Sequence, residues 1–555
     1  MRWGPISLII ASPTLQGSGH ITGAFENGDK SILAVASTFP LLTNPPARAA
    51  YAGHKLRHRL SLHRPGEQAP FAWFDDVRLP INWVSFHPQE PVIAIAAGTY
   101  DGGWMFEGEL LLWNWTENSW RKPVSQIPEV VWVNFGFEGT TLDLIVRPWD
   151  EEWGGDPNGH EDDAFTRFYG ASTIAHSAVA GPELVLNPAA RLGGDKLEIL
   201  SAADEFKKDA LKSVAAWLTI SKLVERSAIW DVSWLGPDKI ASVSDDCLLQ
   251  INDLTGAKLS HIEGDGYGAA IISSEPPLVH VARRRTWDDD EVVSRLLAIQ
   301  DGTLVELGTY AGSYSFTGSS NGTVLGRLDR HRRGSATSDL LIEVATGVVA
   351  AIDCGQYDCF NHFLGVDGAP ANYFLQATPS DGHERKRLCR LDAHGNVESL
   401  WPVLHQDGSY ASHAMECCGC FLEDSAGAGI VLAGRHYDPN PSTPTSGFIY
   451  RKSLNADREL WRHSTAAASS AIVHVGRLGI IAAAFLDGTL KLIDAVTGAI
   501  RAAGRVTIGA QPTVIFSLSA NELALAIGTF DGRVAVLEPG SLLASDATVG
   551  RIELA

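Results

Sequence analysis

Long apolar runs are absent from this chain of 555 residues. No window approaches the ~20 consecutive apolar residues that a membrane-spanning helix needs. The N-terminal apolar stretch Ile6–Ala11 follows Pro5 and falls short of the roughly 7–15 residues of a secretory signal. Cysteine is also scarce, and its odd count of 7 leaves one thiol over if the others pair. We therefore expect a cytoplasmic protein that has no membrane partner.

Basic residues are outnumbered in this sequence. The 44 Lys and Arg residues face 65 Asp and Glu residues, which gives a formal net charge of −21. Nucleic acids and anionic membrane surfaces attract clustered Lys and Arg, and the stretch 327–333 (RLDRHRR) is short and isolated. The charge balance therefore argues against nucleic acid and anionic membrane surfaces as partners.

Glycine, proline and tryptophan are abundant, with 54, 27 and 16 residues. Many turn formers and many rigid aromatic side chains are typical of all-β proteins. The segment 229–259 (IWDVSWLGPDKIASVSDDCLLQINDLTGAKL) contains three β-rich runs separated by turn signals. Similar hairpins recur along the chain, with turns at positions 256, 302, 347, 395, 457, 498 and 540.

These turns lie 41–62 residues apart, and a four-stranded propeller blade takes about 40–45 residues. We therefore predict about seven blade-like units over 228–555 and about three over 1–180. Between them, segment 181–227 has apolar residues every three or four positions from Phe206 to Leu223, which predicts a helical insertion near 183–227. The predicted fold is an all-β propeller of four-stranded blades, with about ten units in one or two rings.

Three segments carry a family resemblance: SVSDDCLLQINDLTG, AAFLDGTLKLIDAVTG and AIGTFDGRVAVLEPG. They resemble the second strand, Asp-Gly turn and third strand of WD40 repeats. The positions that match the turn aspartate of this family are Asp101, Asp246, Asp487 and Asp531. Gly19-His20 and Trp113 resemble two other family positions, whereas Asn252, Ile493 and Leu537 replace the family tryptophan in later repeats. Quinoprotein-like propellers, which share the hairpin rhythm, are the second choice.

The resemblance to WD40 propellers has two implications. It implies a mostly non-catalytic platform whose faces and central opening bind proteins or peptides. It also implies that the N-terminal strand, residues 6–11, completes the last blade and closes the ring. Fold alone does not fix function, so both remain expectations.

Two clusters of metal-type ligands occur, Cys354 to His362 (CGQYDCFNH) and His413 to Cys420 (HAMECCGC). Thiolates and imidazoles at short spacing can hold tetrahedral zinc. However, no paired CxxC motif is present, and neighbours such as Cys417 and Cys418 on a strand point to opposite faces. Small buried side chains are the alternative interpretation. The sequence leaves metal binding by these cysteines open, and we assign no metal or cofactor residue.

The acidic segment 149–163 (WDEEWGGDPNGHEDD) is the best candidate for partner binding. Carboxylates beside tryptophans on a propeller face would suit a basic peptide, whereas a calcium site or a plain solvated insertion are the alternatives. The candidate partner-binding residues are Trp149, Trp153, Asp156, Glu161 and Trp287. Trp73 and Trp104 also lie in apparent loops.

No catalytic motif of the G-x-S-x-G, H-E-x-x-H or Walker type is present. We therefore expect a non-catalytic scaffold and assign no catalytic residue. One alternative is a propeller hydrolase or lyase that acts on a sugar or peptide in the central channel, and another is a regulatory subunit of an effector enzyme. Convergent carboxylates or histidines in a deep pocket would favour the enzyme.

Overall fold

The computed structural model describes most of the chain. The described residues are 6–10, 15–40, 56–100, 106–147, 170–177, 210–221, 223, 228–267, 269–272, 276–282, 292–328, 336–355, 365–377, 386–392, 394–404, 414–436, 447–455, 458–508, 511–543 and 550–554. None of the helices formed by these residues has the length and apolar character needed to cross a membrane.

The described residues form ten β-sheets, most of them antiparallel, which divide between two compact units. The ring unit comprises residues 1–12, 41–55 and 227–555, and the three-sheet unit comprises residues 13–40 and 56–226. The chain therefore starts in the ring unit, builds the three-sheet unit, and then returns.

The three-sheet unit contains eleven strands and one helix. The strands of its first sheet are β2 (His20–Glu26), β3 (Leu33–Pro40), β4 (Leu56–His63) and β5 (Ala72–Val77). Those of its second sheet are β6 (Ile81–Phe86), β7 (Val92–Tyr100), β8 (Phe106–Asn114) and β9 (Ser119–Arg121). Those of its third sheet are β10 (Glu129–Phe135), β11 (Thr141–Arg147) and β12 (Gly170–Ala175). Helix α1 spans Ala210–Trp217.

Alternating apolar residues explain how these three sheets pack. On β11, Leu142, Leu144 and Val146 lie on one face, as the two-residue period of a strand requires, and pack against the second sheet. The other face of the second sheet packs on the first sheet through side chains such as Trp113. Helix α1 covers the remaining face of the first sheet through Ala210 and Val214.

The ring unit contains seven sheets, here called blades 1–7. The strands of blade 1 are β13 (Ile229–Trp234), β14 (Lys239–Ser244), β15 (Cys247–Asp253) and β16 (Lys258–Glu263). Those of blade 2 are β17 (Ala270–Ile272), β18 (Leu278–Ala282), β19 (Val293–Gln300) and β20 (Thr303–Ala311). Those of blade 3 are β21 (Tyr314–Gly318), β22 (Thr323–Leu328), β23 (Asp339–Glu343) and β24 (Val348–Ile352). Each of these blades is a four-stranded sheet in sequence order.

Blades 4–7 depart from this regular pattern. Strand β25 (Val366–Asp367) precedes blade 4 in the chain but pairs in parallel with β29 of blade 5. The strands of blade 4 are β26 (Asn372–Ala377), β27 (Lys386–Leu391) and β28 (Val397–Pro402), and those of blade 5 are β29 (Ala414–Asp424), β30 (Gly427–His436), β31 (Gly447–Ser453) and β32 (Glu459–Thr465). Those of blade 6 are β33 (Ser469–Val475), β34 (Ile480–Phe485), β35 (Thr489–Asp494), β36 (Ile500–Ile508), β37 (Gln511–Pro512) and β41 (Gly550–Leu554).

Blade 7 takes its strands from both ends of the ring unit. Its strands are β38 (Ile515–Ala520), β39 (Leu525–Thr529), β40 (Val534–Leu537) and β1 (Ile6–Ile10). A 3-10 turn lies at Gly476–Leu478, and the short helix α2 spans Pro539–Leu543. Strand β1 pairs antiparallel with β40, as the resemblance to WD40 propellers led us to expect.

Seven apolar interfaces join these blades into a closed cycle. Separate clusters of buried side chains join blade 1 to 2, 2 to 3, 3 to 4, 4 to 5, 5 to 6 and 6 to 7. The cluster that closes the cycle contains Ile9 and Val536 of blade 7 and Val232 of blade 1. The innermost strands β13 and β38 also lie against each other. This cyclic arrangement of radial sheets is a seven-bladed β-propeller.

Two sequence predictions are wrong in detail. Gly540 was predicted at a hairpin turn, but it lies in the short helix α2, because β1 rather than a following segment supplies the outer strand of blade 7. Trp73 was predicted in a loop, but it lies in strand β5, where it pairs with Ser61 of β4.

Candidate functional site

A central cavity of about 450 Å³ lies inside the ring unit. Residues in and beside seven strands line it: β13, β17, β21, β25, β29, β33 and β38. The short strand β25 therefore occupies the inner position of blade 4, although its hydrogen bonds go to blade 5. All seven sectors of the propeller contribute to one opening, which makes this cavity the candidate functional site.

Asp231 on β13 is the sole carboxylate among the described lining residues. Both of its oxygens are used structurally: Oδ1 accepts the N–H of Val232 at 2.9 Å, and Oδ2 accepts the N–H of Ile271 at 2.9 Å. The second bond crosses from blade 1 to blade 2. This carboxylate therefore fastens two blades together.

Trp234, at the end of β13, fastens the other side of blade 1. Its main-chain N–H donates to the hydroxyl of Ser519, and its indole N–H donates to the Ser519 carbonyl, both at 3.3 Å. Ser519 belongs to β38 of blade 7. These two hydrogen bonds join blade 1 to blade 7, the same two blades that the closing apolar cluster joins.

Hydroxyl groups and main-chain groups form most of the polar lining. Ser470 donates to the carbonyl of Ile515 at 2.6 Å, and this bond joins blades 6 and 7. The Oγ1 atom of Thr317 is buried and makes no hydrogen bond within the described part of the chain. Burial raises the pKa of the lining thiol Cys418 to about 11, so this group is a neutral thiol near pH 7.

The described lining of the cavity contains few titratable groups. Among its described residues there is no histidine, and the one carboxylate is engaged with two main-chain N–H groups. A general base needs a free proton acceptor within reach of a substrate. The convergent titratable groups that would have favoured an enzyme do not occur in the described lining.

The cysteines considered as zinc ligands are dispersed. Cys417 packs between blades 4 and 5, Cys418 and Cys420 pack between blades 5 and 6, and Cys354 packs between blades 3 and 4. Burial raises the pKa of Cys354 and Cys417 to about 12, which disfavours the thiolate that zinc requires. Residues 359, 362 and 413 lie outside the described part of the chain.

The three-sheet unit contains one group of three possible metal ligands, formed by His87, Glu90 and His176. The ring of His87 is already engaged, because its Nδ1 accepts the N–H groups of Gln89 and Glu90 at 3.1 and 2.8 Å. Its Nε2 therefore carries the proton and donates to the carbonyl of Gly139 at 3.2 Å. Neither nitrogen has a free lone pair for a metal, so this group fits a structural clamp rather than a metal centre.

The predicted partner-binding residues are not among the described residues. These residues and one of the predicted turn aspartates lie outside the described part of the chain: Trp149, Trp153, Asp156, Glu161, Trp287 and Asp101. The other turn aspartates lie in three turns between the second and third strands of their blades: Asp246 in blade 1, Asp487 in blade 6 and Asp531 in blade 7.

The three described turn aspartates have different surroundings. Asp246 accepts the hydroxyl of Ser244 at 3.1 Å, and Asp487 accepts the N–H of Thr489 at 2.9 Å. Asp531 is fully buried and forms an ion pair with Arg533, which is also buried. The same position of the repeat therefore has two structural roles. In blades 1 and 6 the aspartate accepts a hydrogen bond within its turn, and in blade 7 it forms a buried ion pair.

A second set of recurring aspartates was not predicted from the sequence, although a sequence signal was present. Asp253, Asp392 and Asp494 precede the glycine of the turn that leads into the outer strand of blades 1, 4 and 6. Each accepts main-chain N–H groups inside its turn, as Asp253 does from Thr255 and Ala257 at 2.9 Å. The recurring Asp, followed three or four residues later by Gly, was the available signal.

Phe137 is the other feature that sequence reasoning missed. It lies in the turn between β10 and β11 and is 98% exposed. Exposed aromatic side chains often anchor protein interfaces. No local sequence pattern distinguishes this phenylalanine from the buried ones, because only the folded turn exposes it.

A search of solved structures returns the crystal structure of the WD40 β-propeller domain of Doa1, with 14% sequence identity and a TM-score of 0.39. The match covers 57% of this chain and 95% of that domain. No family model and no curated protein matches the sequence. The protein is an all-β propeller, a class that the closed cycle of blades defines by itself.

Proposed function

We propose that this protein is a non-catalytic scaffold that binds a protein or peptide partner through the loop face of its propeller. The observation that carries the proposal is the central cavity: its described lining offers hydroxyls, main-chain groups and one engaged carboxylate. Such a lining recognises a shape and a hydrogen-bond pattern, and it supplies no free base.

The partner in this proposal is basic. The net charge of −21 favours cationic partners by long-range attraction, which raises association rates at low ionic strength. In the three-sheet unit, the acidic segment 149–163 supplies a proposed set of contacts of its own, with Trp149 and Trp153 as aromatic anchors and Asp156 and Glu161 as charges. Trp287 is the proposed anchor contributed by blade 2.

The proposal also places the protein in the cytoplasm. Among its described cysteines, Cys247, Cys354, Cys389 and Cys418 are free thiols in buried positions. Free thiols of this kind are normal for proteins of a reducing compartment.

The test is an affinity purification of the tagged full-length chain from its native lysate, read by mass spectrometry. We expect a stoichiometric partner that is lost with the W149A/W153A double variant and weakened at high salt. Trp120→Ala is the matched control, because this tryptophan is 43% exposed but packs against Phe74 within the three-sheet unit. Recovery of the chain alone, or equal losses in both variants, would contradict the proposal. If the partner is an enzyme whose activity changes, the protein is a regulatory subunit.

A further inference from the structure

Blade 6 contains more strands than a propeller blade requires. Its strands β33, β34, β35 and β36 already form the four strands of a complete blade, and the short strand β37 pairs only with the end of β36. Strand β41 then pairs in parallel with β36 at its outer edge. In blade 7, by contrast, β1 is the fourth strand of its sheet. Strand β41 is therefore an addition to a finished blade.

The contact between β41 and β36 is short and one-sided. It runs from Gly504 opposite Gly550 to Ile508 opposite Leu554, which is five residues of β41 along the nine residues of β36. Among the described strands, β41 pairs with β36 alone. Parallel pairs are slightly less stable per residue than antiparallel pairs. A strand held in this way can exchange with another strand of similar sequence.

The edge that β41 covers is apolar. Val506 and Ile508 of β36 are 1% and 5% exposed and belong to the cluster that joins blades 6 and 7, against which Leu543 of α2 also packs. The register places Ile552 level with Val506, and Leu554 level with Ile508. Loss of β41 without replacement would leave unpaired main-chain groups at this edge, which is a template for another strand. The edge therefore favours exchange of one strand for another over simple release.

We propose that the outer edge of blade 6 is a strand-docking site, which β41 occupies as an internal competitor of the ligand. The ligand is an extended segment of a partner protein that pairs in parallel with β36. The sequence of β41, GRIEL, defines its chemistry: apolar residues two positions apart and no proline. Main-chain pairing supplies the affinity of such a segment, and the alternate apolar positions supply its specificity. This site is independent of the loop-face contacts of the scaffold proposal.

The connection between α2 and β41 sets the strength of the internal competition. Only residues 544–549 join the two elements. A short connection gives the attached strand an effective concentration of roughly 1 mM. A partner segment that binds the free edge with a Kd of about 100 µM then binds the parent chain about tenfold more weakly. The internal strand thus sets an affinity threshold for the partner segment.

The first test uses the full-length chain, with a labelled peptide of residues 546–555 (DATVGRIELA) as the probe. In the variant Ile552→Pro/Glu553→Pro, one of the two lost N–H groups points towards β36, because successive N–H groups of a strand point to opposite sides. This variant should bind the peptide about tenfold more tightly than the parent, as measured by fluorescence anisotropy. A peptide with the same two prolines is the matched control and should bind neither chain.

The second test fixes the register in the full-length chain. Arg505 is exposed, and position 551 lies beside it on β41. Because neighbouring strands lie about 4.8 Å apart, Arg505→Cys/Arg551→Cys should form an internal disulfide with oxidised glutathione. The oxidised chain should lose the weak peptide binding that its reduced form retains. Arg501→Cys/Arg551→Cys is the matched control, since Arg501 is exposed on the same strand but lies outside the paired segment.

The third test concerns the chemistry of the ligand. A peptide with Ile552→Asp and Leu554→Asp should bind the proline variant at least tenfold more weakly than the unchanged peptide, because its charges lie level with Val506 and Ile508. Arg551→Ala in the peptide is the matched control and should change its affinity little.

Four results would overturn the proposal. The first is equal peptide affinity in the proline variant and the parent, and the second is peptide binding by the oxidised chain. The third is a disulfide that forms from position 501 and not from position 505. The fourth is equal binding of the aspartate peptide and the unchanged peptide. Because the probe is a segment of this chain, these outcomes are independent of whether the affinity purification recovers a partner.

Discussion

The ring unit and the three-sheet unit use the same kind of antiparallel sheet, but they cover their apolar faces differently. In the ring unit every blade packs against two others, and β1 completes the last blade. In the three-sheet unit, helix α1 covers the first sheet, and the third sheet presents exposed polar residues such as Asn134 and Asp143 on its other face. In a closed cycle, each face of a sheet is covered by a neighbouring blade. In a row of three sheets, the two outermost faces need another cover, such as a helix, or polar side chains.

The two units also differ in their buried polar groups. The ring unit buries complete ion pairs, such as Arg327 with Asp339 at 2.5 Å, in which both side chains are at most 1% exposed. The three-sheet unit buries His58 and His63 on β4, and burial lowers the pKa of each to about 4. Buried neutral histidines lose stability as the pH falls below the ordinary histidine pKa, so the two strongly shifted histidines should make the three-sheet unit sensitive to mild acid.

The largest expected effect comes from deleting residues 1–10, which removes β1 from blade 7. Ile9 and Ile10 are 4% and 7% exposed, and their loss opens both the closing cluster and the edge of β40. We expect a cost of about 4–6 kcal/mol to the ring unit. Hydrogen exchange read by mass spectrometry should show faster exchange in 525–537 but unchanged exchange in 92–97.

Two point variants show how much of the stability lost in that deletion comes from a buried side chain of β1. Ile9→Ala should reproduce about half of its effect, whereas Leu8→Ala should change little, because Leu8 is 37% exposed. Equal exchange in the deletion and the parent chain would show that β1 does not close the ring.

The second prediction concerns acid. Unfolded histidines have a pKa near 6.5, so between pH 6.5 and 4 the unfolded three-sheet unit binds protons that buried His58 and His63 do not. Its stability should therefore fall as the pH falls through this window, by roughly 3 kcal/mol for each histidine at the lower end. Urea unfolding at a series of pH values checks this, and His63→Gln should flatten the slope.

In the ring unit, the ion pair of Arg451 with Asp424 should lose its contribution at a lower pH than the buried histidines do. The hydrogen bond from Arg451 lowers the pKa of Asp424, so the contribution of this pair persists above the ordinary carboxylate pKa and disappears only below it. Burial also lowers the pKa of His474, which adds a contribution of the same sign as in the three-sheet unit. Parallel losses in both units between pH 6.5 and 4 would contradict the comparison.

The smallest effect is expected at the helix that covers the open stack. Val214→Ala removes a fully buried side chain from the contact between α1 and the first sheet. We expect a loss of about 1–2 kcal/mol, because the higher helix propensity of alanine offsets part of the lost burial. Leu211→Ala, at a position 43% exposed on the same helix, should stay within about 0.5 kcal/mol of the parent. Denaturant unfolding monitored in the three-sheet unit distinguishes the two variants.

Local signals account for the parts of the fold that the sequence predicted. Turns such as those at Gly256 and Gly498 adopt positive φ values of 86° and 75°, which glycine tolerates, and the preceding aspartate satisfies their N–H groups. The all-β class and the propeller blades follow from this hairpin rhythm. The closing pair of β1 with β40 came from the family resemblance, because no local pattern links segments so far apart.

The remaining features depend on contacts between distant segments. Trp73 was predicted in a loop, but it lies in strand β5, where the nearby Asp75 pairs with Arg59 of β4 at 2.5 Å. The cavity likewise takes its lining from strands spread between β13 and β38. Residues such as Asp231 and Thr317 carry no motif, since the closure of the ring alone brings them to one place.

The pairing of β1 with β40 has a consequence for synthesis. More than 500 residues separate the two strands, and the whole three-sheet unit is translated between them. At about 5–20 residues per second, β1 leaves the ribosome roughly 25–100 seconds before its partner. During that interval an apolar strand is available to other chains, and blade 7 is incomplete until the last strands emerge. Closure of the ring is therefore a late step, and a nascent-chain chaperone that shields residues 6–10 would raise the yield of folded protein.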